Sequence, residues 1–364
     1  MSSSDTFAQI YKLWARYMIS EDSTIVRIVT AAYLANCLPS RPPIWMVILG
    51  EPGGGKTELL NMFDKCDRSI VRSSITPAAL LSHWDKEESI LNEASNGKIL
   101  MLKDFATFID GSREQVVKLM GLMRYVYDGE LATSTGKGTL DFKGKLGFMS
   151  ACTPAIDEYR DFITKLGERF LYVRMLPEDD DAIMDMAIKG NTYRDKYKEK
   201  LQLLMKMLVE DFKLTQGTFT PELYDEMKHA CRLMVGFRAT FDRDRYTKEI
   251  QRAPIIERPT RVAATISRLL LCSKEIGADE EELRNILLRL LHDSLDSDRC
   301  SIMRFINQGK VRLGDVSSYL KRSKTVTKRR IDELLELGIL RQDQNSYYHI
   351  TSELLKEALT KWQR

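Results

Sequence analysis

Gly50-Glu51-Pro52-Gly53-Gly54-Gly55-Lys56-Thr57 carries the strongest chemical signal in the chain. It fits the spacing G-x-x-x-x-G-K-[ST], with Glu58 following directly. Glycines let a backbone wrap phosphates with several N–H groups pointing inward. A helix opening at the end of the loop adds partial positive charge. Lys56 is expected to contact the β- and γ-phosphates and the Thr57 hydroxyl to coordinate Mg²⁺, which makes ATP with Mg²⁺ the expected ligand pair. Hydrolysis needs more than binding: a carboxylate at the end of a neighbouring strand must hold the metal or polarise the attacking water. The run Ile99-Leu100-Met101-Leu102-Lys103-Asp104 offers Asp104 at such a position. The alternative for Lys103-Asp104 is a surface ion pair after a strand.

These residues need a scaffold, and the surrounding pattern supplies one. Ile44–Leu49, rich in β-formers, leads straight into the glycine loop, and a helix is expected from Thr57. Ile99–Leu102, Leu146–Cys152 and Phe170–Met175 are further short apolar runs. Short buried strands alternating with helices predict a parallel sheet in an α/β fold. Before the sheet, residues 5–37 show helical periodicity, ended by Pro39, Pro42 and Pro43. After about Glu178 the chain reads as helical, most clearly over Tyr193–Phe212, Pro221–Phe237 and Pro259–Glu275. Leu313–Leu320 and Val326–Leu337 read as two helices joined by Ser323-Lys324-Thr325. Ile339–Gln342 and Tyr347–Ile350 flank a turn at Asp343–Ser346. Helix, turn, helix and hairpin is the order of a winged-helix domain.

Composition narrows the class. Of 364 residues, 43% are hydrophobic and 29% charged, ordinary for a soluble globular chain of two or three domains. No apolar run approaches the roughly 20 residues needed to span a bilayer, and MSSSDTF is unlike a secretion signal, so cytoplasm and no membrane partner are the expectations. The six cysteines, at 37, 66, 152, 231, 272 and 300, include no CxxC, so no zinc site is expected. Net charge is only +3, but residues 321–330 (KRSKTVTKRR) hold six bases and no acid. That block, with Lys324, Lys328, Arg329 and Arg330 near the start of the second helix, is either a phosphate-binding surface or a solvated helix face. Bases at a helix N-terminus oppose its dipole, which a bound phosphate would offset. The cap is expected from Thr325 or Thr327.

Taken together, GEPGGGKTELL, ILMLKDF, YVYDGELATSTGKG, GFMSACTPAID, LGERFLYVRM and RPTRVAATISRLL run in an order that resembles an AAA+ ATPase over residues 44–275. Within that class the chain is similar to minichromosome-maintenance-like helicases, in the compact versions carried by prophages and mobile elements. The resemblance implies an AAA+ P-loop core at 41–176, after an N-terminal helical segment at 1–40. A helical lid at 177–294 and a winged helix at 295–364 would follow. It implies that Thr153 is the first sensor, orienting water, although family members often use Asn; the alternative is a strand-end cap. Arg169 matches the arginine finger that enters a neighbouring subunit's site, which implies a ring. Otherwise it is a salt bridge to Glu168 or Asp161. Arg261 matches the second sensor, with Arg258 close enough to take the role.

The family's usual Asp-Glu pair is Lys103-Asp104 here, a variant similar to that of the mobile-element group. One alignment puts Asp104 at the glutamate position; shifted by one, it is the magnesium ligand and the base is missing. Residues 131–146 read as a hairpin presenting Lys137. In the helicase group such a hairpin points into the central pore and grips DNA backbone, a task that suits a flexible point charge; the bland reading is an exposed polar hairpin. The expectation is a DNA-dependent ATPase forming a ring around single-stranded DNA, with the winged helix meeting duplex. With only about forty residues before the motor, two other functions stay open: a replication initiator or helicase loader, and an ATP-gated transcriptional regulator.

Overall fold

The computed structural model describes residues 2–18, 22–39, 42–75, 90–94, 97–106, 112–135, 138–165, 169–176, 194–215, 217–244, 246–247 and 249–362, with the single positions 181, 184 and 188. The chain divides into two compact units. One comprises Met1–Ile156, Arg169–Thr218 and Ala264–Ile286; the other comprises Asp157–Glu168, Phe219–Ala263 and Leu287–Arg364.

The first unit is built on a five-stranded sheet of β1 (Trp45–Leu49), β2 (Ser69–Arg72), β3 (Ile99–Leu102), β6 (Gly147–Cys152) and β7 (Phe170–Arg174). Their order is β2-β3-β6-β1-β7, and every pairing is parallel. The fold class is therefore α/β, as the alternation of apolar runs predicts. β1, β3 and β6 are buried along their whole length, which is why they read as continuous apolar segments rather than alternating ones. β2 gives no such signal: Ile70 alone is buried in it.

Two helices precede the sheet. α1 (Ser3–Met18) buries Phe7, Ile10, Leu13, Trp14 and Tyr17, a single face at helical spacing. α2 (Ser23–Cys37), capped by Asp22 accepting from Ile25 N at 3.1 Å, is buried almost throughout. Its end sets the sheet's starting edge. Asn36 donates from Nδ2 to Ile44 O at 2.7 Å and accepts from Ile44 N at 2.8 Å, so the side chain stands in for a strand partner just before β1. Buried Lys145 donates from Nζ to Asn36 O at 3.1 Å and Leu38 O at 2.6 Å, satisfying carbonyls at the helix end. Gly147 leaves room for this clamp, since a Cβ there would lie 2.7 Å from Asn36 Cγ. In the same rows, Trp45, Phe148 and Phe170 sit level across β6, β1 and β7, with ring centroids 5.6–5.7 Å apart.

α3 (Lys56–Asn61) follows the glycine loop. α4 (Arg113–Asp128) opens with a capping box between Ser112 and Gln115 and closes on Gly129 at φ 90°. β4 (Glu130–Thr135) and β5 (Gly138–Lys143) form a separate antiparallel hairpin, paired from Glu130↔Lys143 to Thr135↔Gly138. After α5 (Arg160–Lys165) come the longer helices: α6 (Arg194–Asp211), α7 (Pro221–Gly236), α8 (Thr260–Glu275) and α9 (Glu280–Asp293). The three long helices expected after Glu178 are present, within a residue or two at their ends.

The second unit ends in α10 (Ser297–Asn307), α11 (Leu313–Leu320), α12 (Lys324–Glu336), β8 (Leu340–Gln342), β9 (Tyr348–Ile350) and α13 (Glu353–Lys361). α12 starts two residues before the expected Val326, because Ser323 rather than Thr325 or Thr327 is the cap: its hydroxyl accepts from Val326 N at 3.3 Å. Thr327 is buried and donates back to Ser323 O at 3.1 Å. Asp343 organises the hairpin turn by accepting from Asn345 N and Tyr347 N, each at 2.9 Å. No helix among the described residues is long and apolar enough to cross a membrane.

Replacing Asn36 by Ala leaves the N–H of Ile44 buried without its partner, and its C=O with only the longer bond from Phe148 N at 3.4 Å. At about 1–3 kcal/mol for one orphaned group, we expect a loss of about 1–3 kcal/mol, read as a lower urea midpoint by tryptophan fluorescence. An unchanged midpoint would show that the clamp does not hold β1.

Candidate functional site

The glycine loop sits at the C-terminal edge of β1. The next connection from β1 runs toward the β2 edge of the sheet, whereas that from β6 runs toward β7. Adjacent strands whose right-handed connections run in opposite directions send their loops to opposite faces of the sheet and leave a crevice at their carboxyl ends, the usual place for a ligand in an open α/β sheet. The loop stands in that crevice, anchored by Gly50 N donating to Cys152 O at 3.2 Å.

Two residues make the turn from strand to helix possible. Gly53 and Gly55 lie at φ 82° and 80°, in the left-handed region that favours glycine. Gly55 is also closed in by neighbours: a Cβ there would collide with the Met18 methyl. Gly54 N donates to Glu51 O at 3.2 Å, and α3 opens at Lys56. Glu51, Pro52 and Thr57 are exposed. Lys56 folds back over the loop, its Nζ donating to Glu51 O at 2.5 Å. Partial burial pushes its pKa down, while Cys152, Glu51 and Asp104 act in the opposite direction. Lys56 and Asp104 thus share one electrostatic neighbourhood.

Glu58, in the first turn of α3, is held from two elements remote in sequence. Tyr17 of α1 donates its hydroxyl to Glu58 Oε2 at 2.7 Å, and Lys198 of α6 lies 3.5 Å from the same oxygen. Together with Met18, these contacts line the loop's helix end with residues that no local motif marks.

Asp104 follows β3. The pairing of Leu102 with Ser150, and of Ser150 with Val47, brings Asp104 level with Cys152 and Leu49. It is exposed, and its Oδ1 accepts from Ala106 N at 2.9 Å. Lys103 turns elsewhere, to Asp64 Oδ2 at 3.8 Å. Burial raises the Asp64 carboxyl above the usual range, against the pull of Lys103 and Lys198. Thr153, half-buried, directly follows β6 beside Cys152, and its carbonyl accepts from Ile156 N at 3.2 Å. The loop, Asp104 and Thr153 therefore share one edge of the sheet. A magnesium ion bound with a polyphosphate fits this edge. It needs only one or two protein oxygens beside phosphate and water, and the Thr57 hydroxyl and Asp104 are both open to solvent. Among the described residues no cluster of three or more His, Cys, Asp or Glu could hold a metal without such a ligand.

Arg169 lies at the opposite edge. It precedes β7, whose register sets Phe170 beside Trp45 and Arg174 beside Leu49. Its guanidinium stands 4.0 Å from Asp128 Oδ2 and over the Tyr127 ring, 5.5 Å from the centroid. Among the described residues it is thus paired with Asp128, at the end of α4, while Glu168 lies outside them. Six steps along the chain lead from Arg169 to Met175, which donates to Leu49 O beside the loop. At roughly 3.3 Å per residue that is about 20 Å, beyond the reach of one side chain.

The remaining residues lie elsewhere. Lys137 falls outside the described residues, although the hairpin that would carry it is formed. Arg261 belongs to the second unit, where it donates to Glu257 Oε2 at 3.0 Å; Arg258 is exposed. In α12, Lys324 and Lys328 are exposed. Arg329 gives its carbonyl to Arg243 Nη2 at 2.9 Å, and Arg330 pairs with Glu333 at 3.4 Å. Comparison with known protein families finds no matching family model, and comparison with curated proteins finds no match.

Lys56 gives the loop a pH signature. A bound polyphosphate favours the protonated amine, so affinity should fall as pH rises through the Lys56 pKa, which lies below the ordinary lysine value. Titrating inorganic pyrophosphate calorimetrically against pH should show this decline. Lys56→Arg, charged throughout the range, should remove it; an identical slope in both proteins would exclude Lys56 as the phosphate contact.

Proposed function

We propose that the chain is a DNA-stimulated ATP hydrolase of the AAA+ type, related to the minichromosome-maintenance-like motors and active as a head-to-tail ring. The observation that carries this reading is the polarity of the sheet: the phosphate loop stands at one edge and Arg169 about 20 Å away at the other. An arginine so placed cannot serve its own loop, but a head-to-tail copy can offer it to the next. In that assembly Lys56 and the loop amides hold the β- and γ-phosphates. Thr57 and Asp104 hold Mg²⁺, which neutralises charge on the phosphate oxygens. Thr153 orients the attacking water. Arg169 leaves its long contact with Asp128 to meet charge building on the transferred group. The helical region 177–294 acts as a lid with Arg261 or Arg258 as its sensor. Residues 295–364 act as a winged helix whose α12 presents Lys324 and Lys328 to nucleic acid, and the β4–β5 hairpin carries Lys137 toward a strand in the pore.

One observation favours a second reading. Asp104 is the only carboxylate among the described residues immediately after β3, and Lys103 is turned to Asp64. A single carboxylate must then serve both metal and water, which suits a slow switch, such as an initiator, loader or operator-binding regulator, better than a fast motor.

Lys56→Ala should lose nucleotide binding. Arg169→Ala should keep it but lose hydrolysis, on the order of 10³-fold or more. Because the two defects lie in different halves of a shared site, mixing the two inactive proteins should restore turnover; mixtures that stay silent would overturn the ring. Steady-state ATPase rates with and without single-stranded DNA, for the native chain and Lys137→Ala, separate the two readings. Stimulation lost in the variant supports the motor. Slow turnover indifferent to DNA, with footprinting at one discrete duplex site, supports the switch.

A further inference from the structure

In the second unit, three guanidinium groups from three separate parts of the chain line one cleft of about 140 Å³: Arg160 at the start of α5, Arg243 beyond α7, and Arg299 in α10. Thr164 and Thr240 add hydroxyls to its wall, and Glu333 of α12 is the one carboxylate among its lining residues. Glu333 is buried and shared. Arg243 donates to its Oε1 at 2.9 Å and Arg299 to its Oε2 at 3.0 Å, while Arg330 lies 3.4 Å away.

Arg160 and Arg299 are each only 5% exposed. Arg160 donates to Ser294 O at 3.0 Å and stands 4.0 Å from Asp157, whose other oxygen is taken by Ser297 N at 2.9 Å. Arg299 also donates to Asp296 at 2.9 Å, yet its Nε is buried with no acceptor among the described residues. The field here is positive enough to be felt by a neighbour. Burial disfavours charge on Asp296, but Arg299, Arg160 and Arg330 together hold its carboxyl below the usual range.

The cleft has room for about five waters at roughly 30 Å³ each, the scale of one tetrahedral oxyanion. Guanidinium forks match phosphate oxygens in pairs, and a phosphate offers more acceptors than the single carboxylate now shared. We propose that this cleft binds one phosphate group, as inorganic phosphate or the terminal phosphate of a nucleic-acid strand, with Glu333 as the internal counter-ion it displaces from Arg243 and Arg299. Because Arg243 also donates to Arg329 O, the anion alters the fastening of α12, whose outer face carries Lys324 and Lys328.

The test uses the full chain carrying Lys56→Ala, which silences the phosphate loop and makes the result independent of the ATPase reading. Inorganic phosphate, titrated at constant ionic strength against chloride, should give a saturable rise in melting temperature and a calorimetric isotherm. Arg243→Gln should weaken binding by about tenfold, and Glu333→Gln, which removes the competing carboxylate, should tighten it. Damage to the fold would weaken both, so the opposite signs are diagnostic. Should Arg243→Gln fail to fold, Arg243→Lys keeps the charge, loses the fork and should still bind more weakly. A short 5′-phosphorylated DNA strand that outcompetes its unphosphorylated twin identifies a nucleic-acid terminus as the source; equal competition by the two identifies the free anion. No saturable effect beyond chloride, or one indifferent to Arg243 and Glu333, overturns the proposal.

Discussion

Between Leu49 and Lys56 the chain must leave a fully buried strand and enter a helix within six residues. Few backbones meet that requirement. The Gly50 amide donates to Cys152 O, which fixes where the loop leaves the sheet; Gly53 and Gly55 then take positive φ values. A β-carbon at Gly55 would meet both a backbone penalty of about 1–2 kcal/mol and the Met18 side chain. The exit is only as well placed as β1 itself, and β1 is positioned by Asn36 before it and by the aromatic row of Trp45, Phe148 and Phe170 across it. The chemistry of the loop is thus held by apolar packing and one side-chain amide at the far end of a five-residue strand.

A parallel sheet has two chemically different edges, and in this chain candidate residues lie at both. Loops at the carboxyl edge collect the glycine loop, Asp104 and Thr153, whereas the amino edge collects Arg169, Tyr127 and Asp128. No local rearrangement brings the two sets together, because the strands between them are buried and hydrogen-bonded along their length. A function that requires both must be divided between molecules. One that requires only the carboxyl edge leaves Arg169 as a packed ion pair. That choice is set by the topology, and it is the reason the mode of assembly matters more here than any single side chain.

What could be read from the sequence divides along the same physical line. The glycine loop, β1, β3, β6 and β7 were legible because each is specified within a few residues, by apolar runs and turn chemistry. β2 was not, because a four-residue strand with one buried side chain carries too little pattern. The cap of α12 went to Ser323 rather than Thr325 or Thr327, a shift of about half a turn or about one turn that only the position of the preceding turn decides. Tyr17 and Lys198 on Glu58, and Asp128 on Arg169, were invisible for a different reason: they approach from residues some 40, 140 and 40 positions away, and no spacing rule links such pairs. Local chemistry was therefore readable, and the residues that tune it were not.

The departure at Lys103-Asp104 shows what this tuning can do. In a strand exit, consecutive side chains point to different sides, so only one of two adjacent residues faces the crevice. Lys103 takes the direction of Asp64, beside α3, and Asp104 lies level with the loop. A lysine is acceptable at the first position because Asp64 receives it, and Asp64, held above the usual carboxylate range by burial, gains most from a nearby cation. The two alignments that the sequence left open thus become one geometric question, whether a single exposed carboxylate at that exit can hold a metal and steer a water in turn. Asp104 is exposed, accepts from Ala106 N, and lies near enough to Lys56 for the two charges to influence one another.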